Sequence, residues 1–146
     1  MATRVYNDEG RYLRHAVELE FSFVLPATPT DAPTVIRDGQ GALVASVSAI
    51  STGVQTITFK THEQSPGIVL PQEIVSWSVE IAKAATGDHM TAPNLVAGSY
   101  DLATRTVDIV YRDSDDGAVG TTDLAAGDVV CIKLKGTSLE QFTESA

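Results

Sequence analysis

The three histidines are the residues of this chain whose type suits metal binding and acid–base catalysis. A neutral imidazole binds a metal and titrates near pH 7, and two such ligands often stand four positions apart on one helix face. His15, His62 and His89 share no such spacing and fall in different predicted elements. We therefore predict no metal site, no cofactor and no catalytic histidine.

The hydroxyl and thiol side chains also lack a sequence pattern that creates a nucleophile. Gly-x-Ser-x-Gly, the sharp turn that presents a catalytic serine, does not occur. The members of a Ser-His-Asp triad meet only in space, so the sequence leaves a triad open, but no pattern points to one. Cys131, the lone cysteine, lies inside a predicted strand, which predicts a buried structural thiol. The chain is predicted not to be an enzyme.

A run of oxygen ligands, Asp113-Ser114-Asp115-Asp116-Gly117, looks like the start of a calcium-binding loop. A complete loop of that kind ends in a bidentate glutamate at its twelfth position, and position 124 is Leu124. We interpret the run as an acidic connecting loop that its charges keep in solvent. Weak calcium binding stays open as the alternative.

Trp77, the only tryptophan, is a candidate stacking platform for a sugar ring. It alternates in phase with the apolar residues Val75, Val79 and Ile81, however. Residues in one phase of a strand share one face, and an apolar face packs inward. The pattern therefore predicts that Trp77 fills the core.

The first fourteen residues carry Arg and Tyr side chains, the types enriched in protein–protein interfaces. Three of the ten basic residues of this acidic chain lie here. We predict an N-terminal arm that contacts an acidic neighbour, with a loose chain end as the alternative. The candidate interface residues are Arg4, Tyr6, Arg11, Tyr12 and Arg14.

Length and charge limit the classes of protein to which the chain can belong. A chain of 146 residues with a net charge of −9 fits one domain and lacks the clustered Lys and Arg that hold a nucleic acid or an anionic membrane. No apolar run reaches the ~20 residues of a transmembrane helix, and residues 1–6 lack the apolar core of a signal peptide. We expect a soluble protein that is made in the cytoplasm and has no internal disulfide.

Alternation of apolar and polar residues dominates the extended segments. A period of two places one set of side chains on each face of a strand, and turn residues separate the segments. The chain is therefore predicted to be all-β and antiparallel, a β-sandwich or partly closed barrel of about seven or eight strands. The predicted strands are 15–25, 34–37, 43–50, 54–60, 74–83, 96–102, 106–112 and 129–135.

Single residues predict the turns and the limits of the domain. Ser51-Thr52-Gly53 is typical of a three-residue hairpin loop with a positive φ at Gly53. The turn before Thr106 has no glycine, and if Arg105 takes the positive φ there, it costs about 1 kcal/mol that glycine would not. Gly136 is expected to end the last strand. The predicted organisation is an extended N-terminal arm (1–14), a single β domain (15–136) and a polar C-terminal tail (137–146).

Three segments share a pattern with a known group of proteins. Gly98-Ser-Tyr-Asp-Leu-Ala-Thr-Arg-Thr-Val-Asp-Ile-Val-Tyr111 forms a Tyr-Asp hairpin, and Asp123-Leu-Ala-Ala-Gly-Asp-Val-Val-Cys-Ile-Lys-Leu134 places Gly-Asp before a last apolar strand. Together with the hairpin from Gly41 to Phe59, they resemble small β-rich virion proteins of tailed bacteriophages. The likeness covers roughly residues 34–135, and Arg105 replaces a glycine common at that turn.

The resemblance implies a capsid decoration, or cement, protein. Such proteins bind the outside of the phage head, commonly as trimers, and reinforce contacts between major capsid proteins. The implied partners are the major capsid protein and further copies of this chain, the implied location is the virion, and no catalytic residue is implied. The alternative function is a carbohydrate- or ligand-binding β-sandwich, which would expose Trp77 or several tyrosines in a groove.

Overall fold

Within the residues that the structure describes, eight strands build two antiparallel sheets of four strands each, and this arrangement confirms the predicted all-β fold. The computed structural model describes residues 12–39, 42–84, 94–95, 99–113 and 117–141. The two sheets are the layers of a β-sandwich. The strands are β1 (Tyr12–Val24), β2 (Val35–Arg37), β3 (Val44–Val47), β4 (Val54–Phe59), β5 (Glu73–Ala82), β6 (Asn94–Leu95), β7 (Thr106–Val110) and β8 (Val129–Gln141).

The first sheet has the order β2-β1-β8-β5, with the two longest strands at its centre. β1 and β8 pair along their full length, from Tyr12 opposite Gln141 to Val24 opposite Val129. The edge strand β2 pairs with only the last three residues of β1. The other edge strand, β5, pairs with β8 as far as Thr137. The central pair therefore extends beyond both of its neighbours.

The second sheet has the order β3-β4-β7-β6, and a tight turn joins its first two strands. Ser51 and Val54 exchange both main-chain hydrogen bonds around Thr52 and Gly53. The φ angles of Thr52 and Gly53 are 50° and 77°, and a type I′ turn requires both to be positive. The prediction for Gly53 is confirmed, although the loop is one residue shorter than expected. A Cβ on Gly53 would also collide with Val119, so space as well as conformation requires glycine.

In the turn before β7, Arg105 takes the positive φ, at 57°. Asp101 and Thr106 exchange both main-chain hydrogen bonds across this turn. The carboxylate of Asp101 also accepts a hydrogen bond from the Ala103 N–H at 2.9 Å. The carbonyl of Arg105 accepts one from Phe59 at 2.8 Å, which joins the turn to β4. These bonds hold a left-handed residue where glycine is absent.

The hydrophobic core lies between the two sheets and follows the predicted alternation. The rings of Phe21 and Phe59 cross between the sheets in an edge-to-face contact, with centroids 5.7 Å apart. Every second residue of β1, β4, β7 and β8 is buried along the middle of each strand. The hydrophobic residues of the described ranges that are no more than 2% exposed are Phe21, Phe23, Leu25, Ile57, Phe59, Val107, Ile109, Tyr111, Val130, Ile132 and Leu134.

One polar pair is buried inside this core. The Tyr111 hydroxyl donates a hydrogen bond to Oε1 of Gln55 at 2.6 Å, and Nε2 of Gln55 donates to the carbonyl of Ser48 at 2.9 Å. Both side chains are fully buried, and a buried polar group needs such partners. Burial raises the pKa of the Tyr111 hydroxyl far above its usual value. The pair ties β4 to the residue that follows β7.

A buried carboxylate closes the turn that leads into β8. Asp128 accepts hydrogen bonds from Nζ of Lys83 at 2.5 Å and from the main-chain N–H groups of Ala84 and Ala125, both at 2.9 Å. Lys83 also donates to the carbonyl of Asp123 at 2.6 Å. Burial by itself would raise the pKa of Asp128, but the hydrogen bonds and the charge of Lys83 together hold that pKa below its ordinary value. Asp128 therefore ties the end of β5 to the start of β8.

The last strand does not end at Gly136, contrary to the prediction. β8 continues through this glycine to Gln141, so residues 137–141 of the predicted tail belong to the sheet. Gly136 is buried, and a Cβ at this position would collide with the side chain of Pro71 and the carbonyl of Glu73. The glycine marks a close approach of two chain segments and not the end of a strand.

Cys131 is exposed, so the prediction of a buried thiol is wrong. It lies between the fully buried residues Val130 and Ile132 of β8 and therefore points to the outer face of the first sheet. Its neighbours across the sheet are Ser22 on β1 and Glu80 on β5. The alternation that buries the residues on either side is what exposes the thiol.

Candidate interaction surface

The predicted interface residues divide between β1 and the chain that precedes it. Arg4, Tyr6 and Arg11 lie outside the described residues, so their contacts stay a prediction. Tyr12 and Arg14 belong to β1, where their main chains pair with the end of β8. The alternative of a loose chain end therefore does not apply to these two residues. The structure places them in the sheet opposite Gln141 and Leu139 of β8, beyond the point at which β5 stops pairing with β8.

An open groove of about 900 Å³ lies beside the same half of β1. β1 forms one wall, and the loops at residues 42–43 and 65–69 form the others. Most of the lining side chains are apolar, and Val69 is 53% exposed. Such a surface suits a row of apolar side chains better than a small polar ligand. The apolar lining consists mainly of Val17, Leu19, Leu43, Pro66, Ile68 and Val69.

Within the described residues, the outer main-chain edge of β1 is unpaired beside this groove. β2 pairs with β1 only at residues 22–24. Between residues 16 and 21, no hydrogen bond joins the outer edge to any residue of the described ranges. Ala16, Glu18 and Glu20 are all exposed there. This edge is a row of main-chain donors and acceptors that another strand can pair with.

The direction of these main-chain groups follows from the register of the sheet. Leu25 donates a hydrogen bond to the carbonyl of Asp128 at 2.8 Å and accepts one from Gly127 at 3.0 Å, so its groups point toward β8. The carbonyl of Thr137 accepts a bond from Gln72 and so points away from β1. Because successive residues point to opposite sides, the even-numbered residues of β1 direct their N–H and C=O groups to the open edge.

Acidic side chains border the open edge on the outer face of the sheet. Glu18 and Glu20 stand opposite Lys135 and Lys133 of β8. Nζ of Lys133 lies 3.9 Å from Oε1 of Glu20, and the two side chains are 56% and 65% exposed. A pair so exposed and so long is weak. The carboxylates therefore remain able to interact with positive charges that approach the edge.

Trp77 is 46% exposed, so the prediction that it fills the core is wrong. It stands opposite Leu134 of β8, on the inner face that its phase predicts. Exposure increases along this face of β5, from 5% at Ile81 to 46% at Trp77. The next apolar residue, Val75, lies at a register shift and is 58% exposed. The alternation therefore predicted the correct face of β5 for Trp77. β5 is an edge strand, however, and at this end of it the core does not cover the side chains on that face.

No group of three or more His, Cys, Asp or Glu side chains within the described ranges could hold a metal ion. His62 lies in the loop that follows β4 and is exposed to solvent. The side chain of His15 and the whole of His89 lie outside the part of the chain that the structure describes. In the acidic loop, Asp113 accepts hydrogen bonds from the N–H and the hydroxyl of Thr122 at 3.2 and 3.4 Å. Residues 114–116 are outside the described ranges, so weak calcium binding stays a prediction.

The sequence did not reveal the groove, because residues from three separate segments form it. Leu43 and Ile68 come from loops whose positions depend on the fold. One signal was present, since the first predicted strand (15–25) is longer than the usual five or six residues. A strand that outruns its neighbours leaves part of its edge open.

Comparisons of the chain with protein families, with curated proteins and with solved structures find no match. Across the described residues, no helix has the length and apolar character needed to cross a membrane.

Proposed function

We propose that this protein is a structural virion component that decorates the outer surface of a bacteriophage head and stabilises it by binding major capsid proteins. The observation that carries the proposal is the apolar groove beside the open edge of β1. This surface lies where the chain enters the fold from the predicted N-terminal arm. A surface of this kind suits contact with another protein chain.

The segments behind the phage resemblance have structural roles that support the proposal. The Tyr-Asp segment includes the turn at Asp101, and the Gly-Asp segment supplies the buried carboxylate of Asp128. Both turns fix the approach to the strands that follow them. The shared pattern therefore corresponds to the framework of the sandwich, as expected if the resemblance is one of fold.

Mass action explains how a small protein without a reaction to perform would strengthen a shell. A ligand that binds only the assembled lattice stabilises each site by RT ln(1 + [L]/Kd), which is about 2.7 kcal/mol at a hundredfold excess over Kd. The same small gain repeats at every site of the shell. In the proposed homotrimer, each copy would hold a neighbour at a local threefold axis and so bind several capsid proteins at once.

Co-sedimentation with purified empty heads that lack their own decoration protein tests this function. We expect saturable binding, a higher temperature of head disruption, and a trimer mass by light scattering after size exclusion. Deletion of residues 1–11 leaves β1 intact and should weaken attachment while circular dichroism stays unchanged. A strict monomer that does not co-sediment with any head would refute the proposal.

The exposure of Trp77 favours one second candidate, a carbohydrate- or ligand-binding sandwich. Trp77 is 46% exposed and Val75 is 58% exposed, and an exposed tryptophan is a side chain against which a sugar ring can stack. Because the chain has one tryptophan, its fluorescence reports that site alone. Titration with a panel of soluble oligosaccharides should shift the emission if this function is correct, and the variant Trp77→Phe should lose both signal and binding. An emission spectrum that no sugar changes would exclude it.

A further inference from the structure

We propose that the open edge of β1, together with the groove beside it, accepts an extended segment of a partner protein as an added strand. The segment carries apolar side chains toward the groove and basic side chains toward Glu18 and Glu20. This inference rests on the proposed function in one respect, namely that the partner is a protein. It adds the binding mode and the chemistry of the bound segment.

The main chain of β1 provides the first requirement for strand addition. The N–H and C=O groups of Ala16, Glu18 and Glu20 point to the open edge, as the alternation from Leu25 dictates. An antiparallel segment would pair with each of these residues in turn. Main-chain hydrogen bonds of this kind supply affinity in strand addition, and side-chain pockets supply specificity.

β2 shows how the added strand would lie. It already pairs antiparallel with the same edge, placing Arg37 opposite Ser22 and Ile36 opposite Phe23. Its apolar Ile36 is half-buried against the core, while Arg37 is exposed on the outer face. The proposed segment continues this line past Glu20, with the same alternation of apolar and basic residues. The two strands would then form one continuous edge.

The groove provides the second requirement, a place for the inward side chains. A strand added beside Val17 and Leu19 directs every second side chain to the inner face of the sheet. On that face it meets Leu43, Ile68 and Val69, which the two loops hold beside β1. Val69 is half exposed, so burying it removes apolar surface from water.

The carboxylates beside the open edge indicate the charge of the segment that binds there. A second β1 paired antiparallel to the first would bring the exposed carboxylates of Glu18 and Glu20 beside their own copies, and like charges on facing strands destabilise the pair. Glutamates at an edge thus oppose self-pairing, as charged residues on natural edge strands do. A segment with Lys or Arg at the outward positions meets two carboxylates instead. The occupant is therefore a basic and apolar segment of a partner protein and not a second β1.

Calorimetric titration of the full chain with a blocked peptide, Lys-Val-Lys-Val-Lys-Val-Lys, tests the inference directly. We expect one peptide to bind per chain. A peptide with Glu in place of Lys should bind at least about tenfold more weakly because of the two carboxylates. A peptide N-methylated at its lysines loses the N–H groups that face β1, and it should not bind. Equal binding of the methylated peptide would overturn the added-strand mode.

Variants of the edge and of the groove separate charge from apolar contact. The double variant Glu18→Lys with Glu20→Lys should bind the Glu peptide more tightly than the Lys peptide. The control variant is Glu80→Lys, which lies on the same outer face of the sheet but on β5, and it should leave the preference for the Lys peptide unchanged. Val69→Asp should weaken binding of the Lys peptide by about tenfold, and Leu102→Asp, an exposed apolar residue outside the groove, serves as its control. Circular dichroism confirms folding of each variant. Unchanged preference in the double variant would overturn the assigned occupant.

These experiments distinguish failure of the added-strand site from failure of the proposed decoration function. Peptide binding without attachment to any phage head would retain the added-strand site and refute the decoration role. Attachment to heads without peptide binding, and without any effect of the edge variants, would retain the decoration role and overturn this inference. Self-association that the edge variants abolish would also overturn it, because the occupant would then be a second copy.

Discussion

The buried carboxylate of Asp128 allows a prediction whose size follows from its contacts. Asp128→Ala removes the acceptor for the Lys83 ammonium and for the N–H groups of Ala84 and Ala125. The Lys83 side chain is only 7% exposed, so its charge loses its counter-ion in a site with little water. We expect the variant to fold with a much lower free energy of unfolding.

The expected loss is about 3 kcal/mol. Removing one partner of a buried ion pair costs about 3–5 kcal/mol. We take the lower end because Lys83 keeps its hydrogen bond to the carbonyl of Asp123. Ala84 is exposed and Ala125 half-buried, so water can replace the lost acceptor at both N–H groups. A loss of about 3 kcal/mol is a large part of the total of about 5–15 kcal/mol for a domain.

Urea unfolding followed by circular dichroism measures the loss, and a double-mutant cycle assigns it. Lys83→Met keeps most of the apolar stem, and the double variant with Asp128→Ala should lose less than the sum of the two single losses. Glu20→Ala, from the exposed pair with Lys133, is the control and should leave the free energy of unfolding within error. A loss below about 1 kcal/mol for Asp128→Ala, the size of one ordinary hydrogen bond, would refute the reasoning.

The same carboxylate predicts a pH dependence. The pKa of Asp128 is lower in the folded chain than its ordinary value of 3.8. A group of this kind adds stability above its unfolded pKa, and that contribution is lost as the pH falls toward the folded pKa. The difference in free energy of unfolding between the native chain and Asp128→Ala should therefore have its largest value at pH 7 and decrease below about pH 5. A difference that stays constant down to pH 3 would contradict the ion pair.

Three further changes should lower stability in ways that urea unfolding can measure. Tyr111→Phe leaves Oε1 of the buried Gln55 without its donor and should cost about 1–3 kcal/mol, and an unchanged midpoint would mean that water enters the core. Gly53→Ala should cost at least about 1 kcal/mol because of its left-handed φ, whereas a neutral result would mean that the turn changes type. Gly136→Ala should cost about 1–3 kcal/mol through collision with Pro71, and a stabilised variant would show that the segments can separate.

Local pattern predicted the parts of the fold that depend on one strand at a time. Alternation placed Phe21, Phe23 and Ile132 on the inner faces, where they are buried. The left-handed conformation of Gly53 followed from a glycine at the end of a hairpin loop and is confirmed, whereas the conformation of Arg105 was left conditional. These features depend on a few neighbouring residues, so the sequence carries them directly.

Features that depend on distant segments were missed. Trp77 has the inward phase, but its exposure depends on where the other sheet ends. Gly136 permits the close approach of a segment far from it in sequence, and no local pattern separates that role from a strand end. The groove likewise depends on loops that meet β1 only in the folded chain. The exposure of Cys131, by contrast, already followed from the phase of Val130 and Ile132.

The pairing of β1 with β8 has a consequence for how the chain folds. The main pairing partner of β1 is β8, which follows it in the sequence only after the other described strands. Contacts between such distant segments slow folding, because a long loop must close before they form. The apolar face of β1 therefore stays without this partner until β8 has been synthesised, which makes the nascent chain prone to aggregation. Production at lower temperature or with a chaperone should raise the yield of native protein more than a stronger promoter does.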